Sequence, residues 1–326
     1  MNALADLLLY NVGASLLSGL WVLAVVLLVV RMLRIQSAEL RTHLLAIPLL
    51  KSTLVLFGLC TVMPIPATFW SSVQDRAVSF ESLGPFLLIA VGLGIISIRS
   101  WRRRRVSALT AGSEPLREEE RAAAISRGVV ERLARASRTG LCCRGYRLGE
   151  RLSEPRLFRT ERNTLSTMVA HNPPSVLLPA ALERELDDDE LEAVLAHELA
   201  HVALDRPSSC WDPRWLRALG WLSPGGWTVS HLLATEEELA CDEIAVRATG
   251  NPDALASALI KSYKLQRRTG GFEAQTAFAG LLGRPGGGLQ KRLRRLIDDE
   301  PKMEPANTFQ AFLAWTIVIT LSFLQT

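Results

Sequence analysis

Residues Leu7 to Val30 contain no charged side chain, and this run limits the fold more than anything else in the chain. A backbone inside hydrocarbon has no water to bond, so a run near the roughly 20 residues that match a bilayer core predicts a spanning helix. Three further runs read the same way: Leu44 to Pro64, about Leu83 to Ile98, and one that begins near Thr308 and ends close to the C-terminus. Lys51 interrupts the second run and is expected to snorkel toward the inner interface. Hydrophobic residues make up 48% of the chain, which accommodates several such spans. The first run is not expected to be a cleaved signal peptide, because the residues before it include Asp6 and no Lys or Arg.

Basic residues set the expected orientation. Arg31, Arg34 and Arg41 lie around the first connection, and Arg99 with Arg102 to Arg105 follow the third run, whereas the loop from Pro66 to Ser82 has one Arg against Asp75 and Glu81. The basic connections are expected in the cytoplasm, with both termini outside. Beside an apolar span, the arginine run reads as a topology and lipid-headgroup signal, so direct nucleic-acid binding is not expected. The cysteines are Cys60, Cys142, Cys143, Cys210 and Cys241, an odd number without a CxxC pair, which points to free thiols.

Between the third and fourth runs stands His197-Glu198-Leu199-Ala200-His201. On a helix, residues four apart lie one above the other, so both imidazoles can reach one ion while Glu198 stands beside its open position as a general base. The sequence also predicts that helix. Asp187 is placed as N-cap with Glu190 as its capping-box partner, Leu191, Val194 and Leu195 follow at helical spacing, and Pro207 ends the run.

A catalytic zinc usually takes three protein ligands and keeps one position for water. A second helix, expected over Trp227 to Thr249 with Gly250 closing it, carries Glu238 and Asp242 four residues apart. One of these can bind the ion while the other holds a ligand histidine. Glu236 and Glu237 fall on other faces and read as solvated. His231, seven residues before Glu238, shares its stripe and is a candidate donor to the developing oxyanion. Cys241 is either an additional ligand or a small buried apolar residue.

The stretches Leu165 to Ala170 and Ser175 to Leu178 read as short strands around the Asn172-Pro173-Pro174 turn, and Glu118 to Arg138 as a charged helix. The segment with Asn163, Leu165, Thr167 and Val169 is the best local candidate for an edge strand that receives substrate backbone.

The runs Asn172 to Pro179, Leu186 to His201 and Glu238 to Asp242 together resemble the BlaR/MecR-type membrane metallopeptidases, regulatory zinc proteases of the gluzincin type. The resemblance covers roughly residues 140 to 300. It implies zinc ligation by His197, His201 and Glu238, general-base action by Glu198, and support from Asp242. It also matches Leu289 to Ile297 to the family's basic helix, read as a headgroup contact, and leaves the glycine-rich Gly280 to Gly288 as a gating loop. Such proteins often carry an extracellular sensor domain after the last span, and this sequence has none there, so no β-lactam sensing follows.

The expected fold is thus a mainly α multi-pass membrane protein with four transmembrane helices and a cytosolic α+β zincin domain of the minimal gluzincin kind between helices 3 and 4. Residues 1–100 would hold three spans (about 7–30, 44–64 and 83–98), residues 101–305 the protease domain, and residues 306–326 the fourth span. The expected activity is cleavage of a protein in the cytosol or near the membrane, such as a transcriptional repressor, with one Zn²⁺ per chain and the lipid bilayer as a partner. A non-catalytic zinc-containing scaffold and a maturation or quality-control protease are the alternatives. The sequence leaves the oligomeric state open.

Overall fold

The computed structural model describes residues 2–56, 113–117, 120–137, 156–161, 169–171, 174–204, 224–268, 287–297 and 308–323. Helix α1 (Asn2–Met32) and helix α2 (Ala38–Leu56) pack side by side. The Gly13–Met32 portion of α1 is long and apolar enough to cross a membrane. Small residues allow the close contact between the two helices: a Cβ on Gly19 would stand 3.2 Å from both Cβ and Oγ of Ser52. The Ser15 hydroxyl donates to the Ser52 carbonyl at 2.8 Å and that of Ser52 to the Ser15 carbonyl at 3.1 Å. In lipid, where apolar side chains gain nothing by leaving the solvent, close packing and such bonds hold helices together. Lys51 departs from expectation, being only 4% exposed between the helices instead of snorkelling outward. Helix α2 also begins six residues before the expected span. The part of that span beyond Leu56, and the whole third span (83–98), lie outside the described residues.

Helix α1 closes through a Schellman motif. The Arg34 N–H donates to the Arg31 carbonyl and the Ile35 N–H to the Val30 carbonyl, with Arg34 in the left-handed region at φ 47°. Ser37 then caps α2, its hydroxyl accepting from the Leu40 N–H at 3.4 Å.

The remaining described elements in chain order are strand β1 (Glu114–Pro115), helix α3 (Arg121–Ser137), strands β2 (Arg156–Thr160), β3 (Val169–His171) and β4 (Pro174–Pro179), and helices α4 (Ala180–Glu185), α5 (Asp188–Leu204), α6 (Pro224–Thr249), α7 (Pro252–Arg268), α8 (Gly287–Ile297) and α9 (Thr308–Phe323). The sheet order is β1-β2-β4-β3, with β2 and β4 parallel and the outer pairs antiparallel. Residues Ser175 to Pro179 of β4 are all buried, as an inner strand covered by helices requires. The sequence reading has neither β1 nor β2. Strand β2 is short and bracketed by arginines, and Arg159 becomes legible as a strand residue only through distant partners, the carboxylates of Glu183 and Glu120.

Two apolar cores are shared by one helix. Leu191, Leu195 and Leu199 of α5 pack with α3, β4, α7 and, from α6, Cys241, Ile244, Ala245, Val246 and Ala248. The earlier part of α6 contributes Val229 and Leu233 to the other core, with α1, α2 and Ala311, Ala314 and Val318 of α9.

Candidate metal centre

The sequence places α5 as it stands. The Asp187 carboxylate accepts from the Glu190 N–H at 2.9 Å while the Glu190 carboxylate accepts from the Asp187 N–H at 3.0 Å, the reciprocal capping box. Glu190 is further held by the Ser257 hydroxyl at 2.6 Å and the Lys261 ammonium at 2.5 Å, both on α7. Helix α6 ends at Gly250, whose φ of 72° and 2.7 Å bond to the Val246 carbonyl form the left-handed cap. The two helices cross in contact, bringing residues 40 apart in sequence to one point.

At that point His197, His201 and Glu238 offer ligand atoms that all lie within 4.8 Å of one another. The imidazoles are 4.9 Å apart between centroids and at 89° to each other. Each turns Nε2 toward the same carboxylate, His197 to Oε2 and His201 to Oε1, both at 3.6 Å. Each holds its other nitrogen elsewhere: His197 Nδ1 is 2.9 Å from Asp242 Oδ1 and His201 Nδ1 is 3.2 Å from Cys241 Sγ. A tetrahedral zinc with bonds near 2.05 Å separates its ligand atoms by about 3.3 Å, so two nitrogens that each stand 3.6 Å from an oxygen of one carboxylate, with one ligand atom from each residue all within 4.8 Å, need a contraction to close on a zinc ion. Orienting the far nitrogen of each ligand histidine is what fixes the tautomer that presents Nε2 to a metal. Glu198 is partly buried, one residue past His197.

Neighbouring groups set the protonation of the cluster. Burial and then the Arg292 guanidinium oppose a proton on His197, yet its bonds to Asp242 and Glu238 outweigh them and lift it to about 9. Burial and the neighbouring His197 push His201 down to about 4. Although burial resists ionisation of Glu238, the His197 contact and Arg292 hold it well below the usual carboxylate range. Burial, followed by the surrounding carboxylates, raises the Cys241 thiol well above its usual range. The Cys241 sulfur stands against Nδ1, on the ring edge away from Glu238, as a partner of the histidine.

Several expectations change here. Glu236 is not solvated: it is 7% exposed, with Arg41 Nε at 3.4 Å and Lys291 Nζ at 2.7 Å. The basic helix α8 turns three of its cations onto protein carboxylates. Arg292 grips Asp242 through two bonds of 2.7 Å and reaches Glu238 Oε2 at 3.0 Å. Sequence reasoning missed this residue, because the pairing joins two helices about 50 residues apart and no local pattern announces it. The His231 side chain is exposed on α6, about 10 Å along the axis from Glu238. Val169 lies in β3, which is an edge among the described strands, while Asn163, Leu165 and Thr167 lie outside the described residues, as does the loop up to residue 286.

No curated protein matches the chain, and no solved structure does. The family model described as BlaR1 peptidase M56 matches residues 165–278. That stretch contains both histidines, Glu198, Glu238, Cys241 and Asp242, and stops short of α8. M56 peptidases are membrane-associated metallopeptidases of signalling systems, and the segment that carries the candidate metal ligands is similar to them.

Proposed function

We propose that the protein is an integral membrane zinc endopeptidase that cleaves a regulator, such as a transcriptional repressor, in the cytosol or close to the membrane. The observation that carries this reading is the convergence of two Nε2 atoms on one carboxylate, with each Nδ1 already held. Zinc bound there would supply Lewis acidity and a water acidified toward neutral pKa. Glu198 takes the proton from the attacking water and returns it to the leaving nitrogen. Asp242 and Cys241 keep the imidazoles in their productive tautomers. A site kept only for structure has no need of a general base beside it.

Substrate backbone adds to β3. Among the described strands β3 pairs with β4 alone and packs on α5, so a strand added there runs beside the helix that carries Glu198.

The proposed topology has four spans. The Gln310 side-chain amide donates to the Leu33 carbonyl at 2.5 Å, so the start of α9 meets the end of α1. These two helices then leave both termini on the opposite face from Arg31, Arg34 and Arg41, with the peptidase domain on the basic, cytoplasmic side.

The test compares wild type with Glu198→Gln. The variant should keep zinc and lose roughly 10²- to 10⁴-fold in cleavage, and newly created protein termini in cells should depend on the intact residue. Cleavage that survives Glu198→Gln would point to a scaffold. Termini confined to secreted or misfolded proteins would point to maturation or quality control.

A further inference from the structure

Asp242 and Glu243 are adjacent on α6 and hold different partners. Asp242 holds His197 at 2.9 Å. Glu243 accepts the backbone N–H of Ala38, the first residue of α2, at 3.0 and 3.1 Å on its two oxygens. Both side chains are 4% exposed. Three residues apart on α8, Arg292 pairs with Asp242 and Arg295 with Glu243. Arg295 also donates to the Gln36 carbonyl, in the turn between α1 and α2, and Arg41 donates to the same carbonyl at 2.9 Å. One short helix therefore grips the support of a metal-ligand histidine with one arginine and the membrane turn with the next.

The pairing is balanced and shared. Glu236, Glu238, Asp242 and Glu243 on α6 meet Lys291, Arg292 and Arg295 from α8 and Arg41 from α2. Buried carboxylates are costly when they lose their partners, so moving the turn leaves Glu243 and Glu236 each short of a contact that α8 alone must replace. Because Arg292 and Arg295 belong to one rigid helical turn, a shift of one shifts the other.

We propose that Arg295 and Arg292 are positioning residues that lock the metal centre to the α1–α2 turn, so that displacement of this turn changes how firmly the zinc is held. The proposal rests on the zinc-peptidase reading and adds to it the route by which the membrane helices act on the site. Helix α8, the carrier of the route, lies beyond the stretch that matches the peptidase family.

The experiment uses the full chain in lipid nanodiscs, with zinc affinity measured by competition against a chromophoric chelator, and kcat and KM measured separately. Arg292→Ala should weaken zinc binding about 10- to 100-fold, the usual cost of losing a group that supports a metal ligand. Arg295→Ala, which touches no ligand or ligand support, should weaken it about tenfold and Arg295→Lys should restore part of the loss. Ala38→Pro removes the N–H that Glu243 accepts and adds ring carbons at a fully buried position, at the first position of a helix where the backbone angle of proline fits, and should weaken zinc binding about threefold. Native helicity and monodispersity identify variants that have kept the fold. Wild-type affinity in both Arg295→Ala and Ala38→Pro would overturn the proposal while leaving the peptidase reading standing. A wild-type protein that binds no zinc would overturn both.

Discussion

Helix α6 runs through two environments, and its halves follow different rules. Where Val229 and Leu233 meet α1, α2 and α9, Val22, Leu44 and Leu49 fill the contact, Gly19 and Ser52 bring α1 and α2 close together, and large apolar side chains including Leu17, Leu27, Leu28 and Phe312 are exposed. Where Cys241, Ile244 and Ala245 meet α5 and α7, leucines fill the interior and charged residues such as Arg121, Asp188 and Arg268 lie toward solvent. The first half packs against helices that include α1, which is long and apolar enough to cross a membrane, where packing replaces the hydrophobic effect between helices; the second packs in a core rimmed by charged residues, where burial drives assembly. The acidic residues stand at the joint between the halves. The three candidate ligands at the joint lie within reach of one another, and Glu243 beside them is bonded to the first residue of α2.

The largest effects are expected at the joint. Asp242→Ala should lower zinc affinity about 10- to 100-fold by releasing His197, and Cys241→Ala should lower it less, since a thiol is a weak hydrogen-bonding group. Chelator competition on the purified protein measures both. Equal losses would mean that the two histidines are held with equal strength, against the geometry described.

The contrast between the halves is tested next by two equally exposed apolar residues. Leu28 on α1 is 56% exposed and Ile297 on α8 is 61% exposed. Leu28→Arg should cost about 2.5–3.5 kcal/mol if that surface faces lipid, whereas Ile297→Arg should stay within about 0.5 kcal/mol if its surface faces water. The amount of each variant recovered in the membrane fraction, with its resistance to protease, reads the difference. Equal tolerance would remove the distinction.

A smaller effect lies at the start of α5. Asp187→Ala removes the cap that accepts the Glu190 N–H and should cost about 1 kcal/mol, seen as earlier thermal release of zinc. The smallest concerns the turn itself. Arg34→Gly relieves a side chain held at φ 47° and should stabilise by about 0.5–1 kcal/mol, because glycine tolerates the left-handed region. Destabilisation would mean that the Arg34 side chain contributes more than its backbone strain costs.

Legibility in the sequence followed the range of the interactions involved. The capping box at Asp187 and Glu190, the glycine that ends α6 and the i, i+4 histidines are local patterns, and each stands where its spacing put it. The pairing of Glu238 with those histidines needed the resemblance as well as the helix, since spacing within α6 left Asp242 as its equal. What could not be read depends on partners far along the chain. Strand β2 exists through parallel pairing with β4 and through Arg159, and its own five residues carry too little pattern. The basic face of α8 has the composition of a headgroup-binding or solvated helix, and only the fold reveals that carboxylates on α6 wait for it. Glu236 reads as solvated for the same reason, because its cations come from α2 and α8.

The account depends most on a single cation held by His197, His201 and Glu238. X-ray absorption at the zinc edge of the zinc-loaded full-length protein measures this directly. Two nitrogens at about 2.0–2.1 Å, light oxygen ligands at about 2.0–2.2 Å and no sulfur are the predicted first shell, with the oxygen count falling in Glu238→Ala. A sulfur at about 2.3 Å, or a spectrum unchanged by Glu238→Ala, would contradict it.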